Sequence, residues 1–428
     1  MSEPALRTAV LGAGTVGREV VRGLLERGRR LAAADGRPLE LTGVAARDLA
    51  RAAASGIPSE LLTDAPAHLV AAPDTDVVVE LMGGDEPANT LIAAALLAGK
   101  PVVTANKHVI AHHGPELELI ARRTGAPLRF EAAVGGGIPV LSPIAADLAA
   151  NELSRVRGIV NGTTNYILTE MSQQGRGYAE VLADAQALGY AEADPTGDVE
   201  GDDAVNKLVI LARLAFGTWL DPASIVKRPP TARGTGRPGI TGITDDEVEG
   251  AEALGLTIKL IASASRGRAG DRIIAWVQPT AVPSNSPFGW TDGVTNRVEV
   301  EGEPIGLVRF AGPGAGGGPT SSAVLADLLV IARGGSSTWA GLPPADAGLD
   351  GSGSVAADPG HDEPRHWYAF VPPTTVDVLP AALDEAATCE FEDGIAVRSE
   401  RVTLDEARAA FSAILPPGVD VTLYPVDE

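Results

Sequence analysis

Cysteine is almost missing from this 428-residue chain, in which Cys389 stands alone. A single thiol excludes a disulfide framework and any metal site built on thiolates. Basic residues are scarce as well: Lys and Arg number 34 against 56 Asp and Glu, a formal charge of −22. That deficit argues against nucleic acid and anionic membrane surfaces as partners, since both need a basic face. No window approaches the about 18 uninterrupted apolar residues of a membrane span. The N-terminus runs into an apolar strand without the pattern of a secretory leader. The expectation is a cytoplasmic protein of two or three domains that takes small anions in local cationic pockets.

What is present begins with Thr8-Ala9-Val10-Leu11, a short strand. Gly12-Ala13-Gly14-Thr15-Val16-Gly17 follows, then the helical apolar spacing of Val20, Val21, Leu24 and Leu25. Strand, G-x-G-x-x-G and helix together bring backbone N–H groups and a helix N-terminus against a pyrophosphate. A dinucleotide is therefore expected on residues 12–17. The next strand, 39–45, ends in Ala46-Arg47-Asp48. An acid at this tip suits the ribose diol of NAD, and an arginine suits the 2′-phosphate of NADP. With both present the choice stays open, Arg47 inclining it toward NADP.

Asp76 to Gly84 and Val102-Val103-Thr104 read as buried parallel strands with a helix, 88–98, between them. The second ends in Ala105-Asn106-Lys107-His108. Ligands of open α/β sheets gather at strand C-termini, so Lys107 stands where nicotinamide and substrate should meet. His108, His112 and His113 have no partners at metal-ligand spacing and read as ordinary polar residues. After the strand 128–131, Val134-Gly135-Gly136-Gly137-Ile138 is either a hinge or, with Glu131, an oxygen-lined cradle for a hard cation.

The densest chemistry lies between Glu192 and Lys207, with acids at 192, 194, 198, 200, 202 and 203 before one lysine. Asp203 and Lys207 are i and i+4 and share a helix face. That face continues through Ile210 and Leu214, while Asn206 and Arg213 fall on the other. The Asp–Lys pair thus lies on the stripe that turns toward the core. A lysine drawn inward beside carboxylates is either a structural ion pair or an acid/base.

A second domain is expected over 136–311, with a strand at 156–160 and a helix opened by Asn161-Gly162-Thr163-Thr164-Asn165. Helices near 178–188 and 202–216 follow, then a mostly antiparallel sheet from strands near 256–263, 272–278, 296–300 and 305–310. A second glycine turn, 312–318, leads into a helix that returns to the nucleotide domain, giving 1–135 completed by 312–332. Residues 333–362, rich in Gly, Ser, Ala, Pro and Asp, read as a linker. Residues 363–428 read as strand (366–371), helix (377–387), two strands (388–392 and 394–398), helix (403–414) and strand (419–425), a βαββαβ, ferredoxin-like order.

Taken together these blocks resemble homoserine dehydrogenase over roughly residues 6–332. The matching segments are the glycine loop, Glu80-Leu81-Met82-Gly83-Gly84, Val103 to Lys107, Glu131 to Pro139, Asn161 to Leu168, the acidic stretch through Lys207, Ile258-Lys259-Leu260 and Gly312 to Gly316. The resemblance implies α/β architecture: a Rossmann-type domain plus an α+β domain that forms a homodimer or higher oligomer. It implies reversible NAD(P)H-dependent reduction of L-aspartate 4-semialdehyde to L-homoserine, in threonine, methionine and isoleucine biosynthesis. Lys207 would be the acid/base, and Lys107 would contact cofactor and substrate and help the proton transfer. Glu192 and Asp203 would hold the substrate's amino group, with Glu192 also near the cofactor, and Asp194 and Asp198 would order the loop. Thr163 and Tyr190 would face substrate, and Gly189 and Gly314 the nucleotide. Glu131 with the carbonyls of Val134, Gly136 and Ile138 would hold a monovalent cation such as sodium. The tail fits an ACT-like unit without the Pro-Gly-Val-Leu-type loop that marks ligand binding in such domains; Pro416-Pro417-Gly418-Val419 comes just ahead of the last strand. Aspartate-semialdehyde dehydrogenase, which acts through a cysteine nucleophile, and a non-catalytic nucleotide sensor are the alternatives. Cys389 in the tail counts against the first, and the set Lys107, Glu192, Asp203 and Lys207 against the second.

Overall fold

The structure is a computed structural model that describes residues 4–31, 36–267, 272–345, 355–373, 383 and 386–427. The chain divides into two compact units. One comprises Met1–Leu153, Val209–Pro222 and Glu301–Val355, and the other Ser154–Leu208, Ala223–Val300 and Ala356–Glu428.

Alternating apolar strands and amphipathic helices build the first unit. Its elements are β1 (Leu6–Leu11), α1 (Thr15–Leu31), β2 (Leu39–Ala45), α2 (Leu49–Ala54), β3 (Leu62–Thr63), α3 (Pro66–Ala71), β4 (Val77–Glu80), α4 (Ala88–Leu97), β5 (Val102–Thr104), α5 (Lys107–Thr124) and β6 (Leu128–Arg129). Val77, Val78 and Val79 are wholly buried, as a strand covered on both faces requires. All pairings are parallel, in the order β3-β2-β1-β4-β5-β6. The order reverses between β1 and β4, which opens a crevice at the C-terminal end of β1, beside Gly12.

The chain then runs through β7 (Glu152–Ile159), α6 (Gly162–Gln174), α7 (Tyr178–Ala187), α8 (Thr196–Val199), α9 (Asp202–Phe216), α10 (Asp245–Ala253), β8 (Leu256–Arg266), β9 (Ile273–Pro283), β10 (Thr295–Glu303), β11 (Gly306–Pro313) and α11 (Gly317–Ala332). The sheet of order β11-β10-β7-β8-β9 has its last four strands in the second unit, and β7, β8 and β9 pair antiparallel. Within the first unit α11 packs on α1, where a Cβ on Gly23 would lie 2.8 Å from Leu325 Cδ1. A side chain at position 23 would push the two helices apart.

The tail contributes β12 (Trp367–Val371), β13 (Ala387–Glu390), β14 (Ile395–Arg398), α12 (Leu404–Ile414) and β15 (Tyr424–Pro425). Its sheet order, β13-β14-β12-β15 with antiparallel neighbours, is that of a ferredoxin-like unit. The helix expected at 377–387 lies outside the described residues apart from its last positions. Trp367, Leu404 and Phe411 sit in the core of this layer, and the Tyr368 hydroxyl donates to the Glu247 carbonyl of α10 at 2.6 Å. Cys389 is half-buried on the edge strand β13, because an edge strand leaves one side to solvent. Among the described residues no helix is long and apolar enough to cross a membrane.

Two readings of the sequence need correction. Arg213 does not occupy a solvated face of α9; it is fully buried, and Asn206 is only 8% exposed. The Arg213 guanidinium donates to both Glu118 oxygens at 2.9 and 2.6 Å, and the Trp219 indole N–H and Arg122 donate to the same carboxylate. Burial pushes the Glu118 carboxyl up, but these donors outweigh it and hold the group below the usual carboxylate range. The first part of the expected linker, moreover, is packed. Trp339 is 1% exposed, with its ring 5.2 Å from Phe130 and 6.4 Å from Trp219. Thr338 donates its N–H to Leu128 and accepts the Phe130 N–H on its hydroxyl, which completes the edge at β6. The glycine- and serine-rich composition hid one large aromatic anchor. Residues 346–354 of the expected linker lie outside the described residues.

Removing one partner of a buried ion pair strands the other. Glu118→Ala is expected to cost about 3–5 kcal/mol in urea unfolding; a loss below about 1 kcal/mol, the level of an exposed pair, would show the pair to be structurally idle.

Candidate functional site

Each glycine of the first loop has a distinct steric reason. Gly12 has φ +111°, and a Cβ there would lie 2.5 Å from the Leu81 carbonyl oxygen. A Cβ on Gly17 would lie 1.9 Å from the Gly12 oxygen, so the turn could not close onto α1. A Cβ on Gly14 would meet no atom of the described residues within 4 Å beyond its chain neighbours, which leaves open the space a phosphate takes. Ala13 borders the same turn, and Thr15 and Val16 form the first turn of α1. A cavity of about 480 Å³ opens there, lined by Gly12, Gly14, Arg18, Arg47, Asp48 and Arg51 among others. Asp48 is the N-cap of α2, its Oδ1 accepting the Arg51 N–H at 2.9 Å. The second glycine turn lies alongside. Gly314 is buried, its carbonyl oxygen is where a Cβ on Gly136 would fall (2.6 Å), and a Cβ on Gly317 would lie 3.0 Å from the Thr15 oxygen.

Lys107 begins α5 at the C-terminal edge of β5 and is half-buried. The turn before it is anchored on Glu80, wholly buried at the end of β4. Glu80 accepts the Thr104 hydroxyl and the Met82 N–H, each at 2.7 Å. Burial pushes its carboxyl up against the pull of these hydrogen bonds. The Thr104 oxygen in turn accepts the Asn106 N–H, and Asn106 caps α5 by accepting from Val109.

The Glu131 carboxylate accepts the N–H groups of Val140, Leu141 and Ser142 at 2.7–2.8 Å and the Ser142 hydroxyl at 2.5 Å. Both carboxylate oxygens are thus held by protein donors, which brace residues 140–142 against Glu131. The carbonyls of Val134, Gly136 and Ile138, all in buried residues, accept no hydrogen bond from the described residues.

In the second unit the acidic stretch converges on Lys207, which is 8% exposed. Its ammonium donates to Asp203 Oδ2 at 2.7 Å and to the Val160 carbonyl at 2.6 Å. The Asn161 amide N–H₂ group donates to Asp198 at 2.7 Å and to the same Asp203 oxygen at 2.9 Å. The Asn161 carbonyl oxygen caps α6 by accepting the Thr164 N–H at 2.8 Å. Asn161 therefore fixes one helix start and spaces two carboxylates at once. The Thr163 hydroxyl donates to the Tyr190 carbonyl at 2.7 Å, and the exposed Tyr190 ring leans on Tyr166. Gly189 has φ +77° in an exposed turn. Asp194 accepts from the N–H and hydroxyl of Thr196, which hold its carboxyl below the usual range. The Glu192 side chain is exposed and, among the described residues, takes no part in this network; its backbone carbonyl accepts from Gln186 at 3.0 Å. Sequence reasoning passed over Asn161, Arg18 and Arg51. The N-cap position of Asn161 ahead of α6 was the available signal, as was the place of Arg18 directly after the glycine loop, whereas Arg51 reaches the cavity only through the fold.

Comparison with known proteins agrees with this geometry. The family profile described as the NAD binding domain of homoserine dehydrogenase matches residues 12–131, and that described as homoserine dehydrogenase matches 139–329. The homoserine dehydrogenase of Mycobacterium tuberculosis is 46% identical over 334 residues, 77% of this chain and 73% of its own. That of Corynebacterium glutamicum is 44% identical over 355 residues, 80% and 77% of the two chains. A homoserine dehydrogenase structure from Thiobacillus denitrificans superimposes with TM-score 0.86 at 32% identity, covering 100% of this chain and 99% of its own. A hyperthermophilic archaeal homoserine dehydrogenase in complex with NADPH gives TM-score 0.63 at 27% identity, covering 76% and 97%.

Serine keeps an N-cap oxygen but has no amide donor. Asn161→Ser is therefore expected to retain its thermal melt while turnover falls by about tenfold or more, the scale of lost hydrogen bonds to charged groups. Unchanged turnover would show that the bridge between Asp198 and Asp203 does not matter to the site.

Proposed function

The chain belongs to the homoserine dehydrogenase family, and on that premise we propose how its own residues carry the reaction, the reversible interconversion of L-aspartate 4-semialdehyde and L-homoserine. The observation that carries the reading is the buried Lys207 ammonium, held between Asp203 and the Val160 carbonyl. Reduction of an aldehyde builds negative charge on its oxygen, and a positioned ammonium both stabilises that charge and delivers a proton. Lys207 fills this role. Asp203 contacts Lys207 and Asn161 through Oδ2, and in this reading its carboxylate also takes the substrate's own ammonium. Glu192, exposed on its loop, joins the same ammonium when substrate binds. Asp198 holds Asn161 and, at 3.4 Å, the Thr163 hydroxyl, so the wall formed by Thr163 and Tyr190 is braced before substrate arrives.

The nicotinamide dinucleotide supplies the hydride when bound. Gly12, Gly14 and the first turn of α1 receive its pyrophosphate, and Gly314 borders the nucleotide opposite that loop. Lys107, at the sheet's C-terminal edge, contacts cofactor and substrate. The cofactor is preferentially NADP. Asp48 is engaged in capping α2, while Arg18, Arg47 and Arg51 line the cavity beside the strand tip where a 2′-phosphate falls. A monovalent cation such as sodium fits a site of Glu131 with the carbonyls of Val134, Gly136 and Ile138, three acceptors in buried residues that have no donor among the described residues. Bound there it would brace the turn that abuts Gly314.

Lys207→Ala is expected to fold and bind NADPH yet lose about 10²–10⁴-fold in turnover, the range of general acid catalysis; near-normal turnover would remove Lys207 from the chemistry. Arg51→Ala is expected to raise KM for NADPH by about tenfold, the scale of one lost charged hydrogen bond, and to leave KM for NADH unchanged. Equal effects on the two cofactors would contradict the preference.

A further inference from the structure

A second cavity, of about 330 Å³, lies within the second unit, between the sheet of β7, β8 and β9 and the tail. Four guanidinium groups line it, those of Arg155, Arg266, Arg365 and Arg401, against two carboxylates, Glu363 and Asp427. In a chain carrying −22 overall this is a local concentration of positive charge. The charges come from three separate regions: Arg155 from β7, Arg266 from the end of β8, and Arg365 and Arg401 from segments flanking β12 and α12. The fold assembles them, and no local motif announces them.

The arginines are oriented by their surroundings. Arg155 lies 3.5 Å from Asp427. Arg365 donates to the Gly360 carbonyl at 3.1 Å and stands over the Trp367 ring at 5.7 Å. Arg401 donates Nε to the Pro364 carbonyl at 3.0 Å, and its two Nη groups have no partner among the described residues. A guanidinium offers five N–H donors in a rigid fork suited to carboxylate and phosphate oxygens. One carbonyl on Nε fixes such a fork and leaves its outer donors for a ligand.

We propose that this arginine-lined cavity binds a small multivalent oxyanion, a compound bearing phosphate or several carboxylate groups. A zwitterion would meet more positive than negative charge there and gain little. A bound dianion joins β7 and β8 to the tail by charge-assisted bonds. β7 ends one residue before Val160, whose carbonyl holds Lys207, so occupancy ties the tail to the strand that carries this anchor.

The test is calorimetric titration of the NADPH-loaded full chain with inorganic pyrophosphate and, in parallel, with citrate, at low ionic strength. Saturable binding of at least one of them, at one site per chain, is expected. Arg401→Gln and Arg266→Gln are each expected to weaken it by about tenfold or more, the scale of lost hydrogen bonds to a charged group, with NADPH affinity and basal turnover unchanged. Binding of neither anion overturns the proposal, as does binding equally tight in Arg401→Gln and the parent protein. Displacement of NADPH fluorescence by the anion would place it in the nucleotide cavity instead, and would equally overturn the proposal.

Discussion

The structure turns on one buried ammonium, that of Lys207, held by a carboxylate one helical turn away and by a backbone carbonyl at the end of a strand. A cation at 8% exposure is tolerable only when it is paired and hydrogen-bonded. Satisfying it fixes three things at once: the start of α9, the end of β7 and the entry to α6. Asn161 links them, because its amide meets both carboxylates while its carbonyl oxygen closes the first turn of α6. The same contacts that make burial of a lysine affordable aim it at one place, and an aimed ammonium is what a developing alkoxide requires.

The parts legible in the sequence are those set by local sterics or periodicity. The glycine loop could be read because Gly12, Gly14 and Gly17 each answer to a contact, or an open space, within one β-turn-α unit. The Asp203–Lys207 pair could be read because i and i+4 share a face. Reading failed where the deciding partner is far along the chain. Arg213 was placed on the outer face of α9, yet Glu118, 95 residues earlier, draws it into the core. Trp339 sits in a run whose composition signals a linker, but Phe130 and Trp219 bury it. The Glu131 carboxylate accepts the N–H groups of residues 140–142, contacts that composition does not show. That Asp48 caps α2 is a contact that a sequence of bare letters does not reveal.

The two charged cavities differ in the same way. The nucleotide cavity is announced by one strand, one turn and one helix, so a family profile and a short motif both find it, although residues from 45–52, 64–66 and 81–87 complete its lining. The arginine cavity draws on β7, β8 and the tail, and exists only once the second unit has folded. The sequence matches to the relatives from M. tuberculosis and C. glutamicum cover 77% and 80% of this chain, whereas the T. denitrificans structure covers all of it. Among the described residues Cys389, at the edge of the tail's sheet, lines neither cavity, which counts against a thioester route.

The most direct test of the role given to the ammonium at position 207 is chemical rescue. Lys207→Cys, treated with bromoethylamine, gains a side chain of nearly the original length that again ends in an ammonium; the treated parent protein controls for Cys389. The account predicts an almost inactive variant that recovers a large part of its turnover as aminoethylation of the introduced thiol, followed by mass, goes to completion. A fully modified variant that still binds NADPH but stays inactive, or an untreated variant already close to the parent rate, would contradict it.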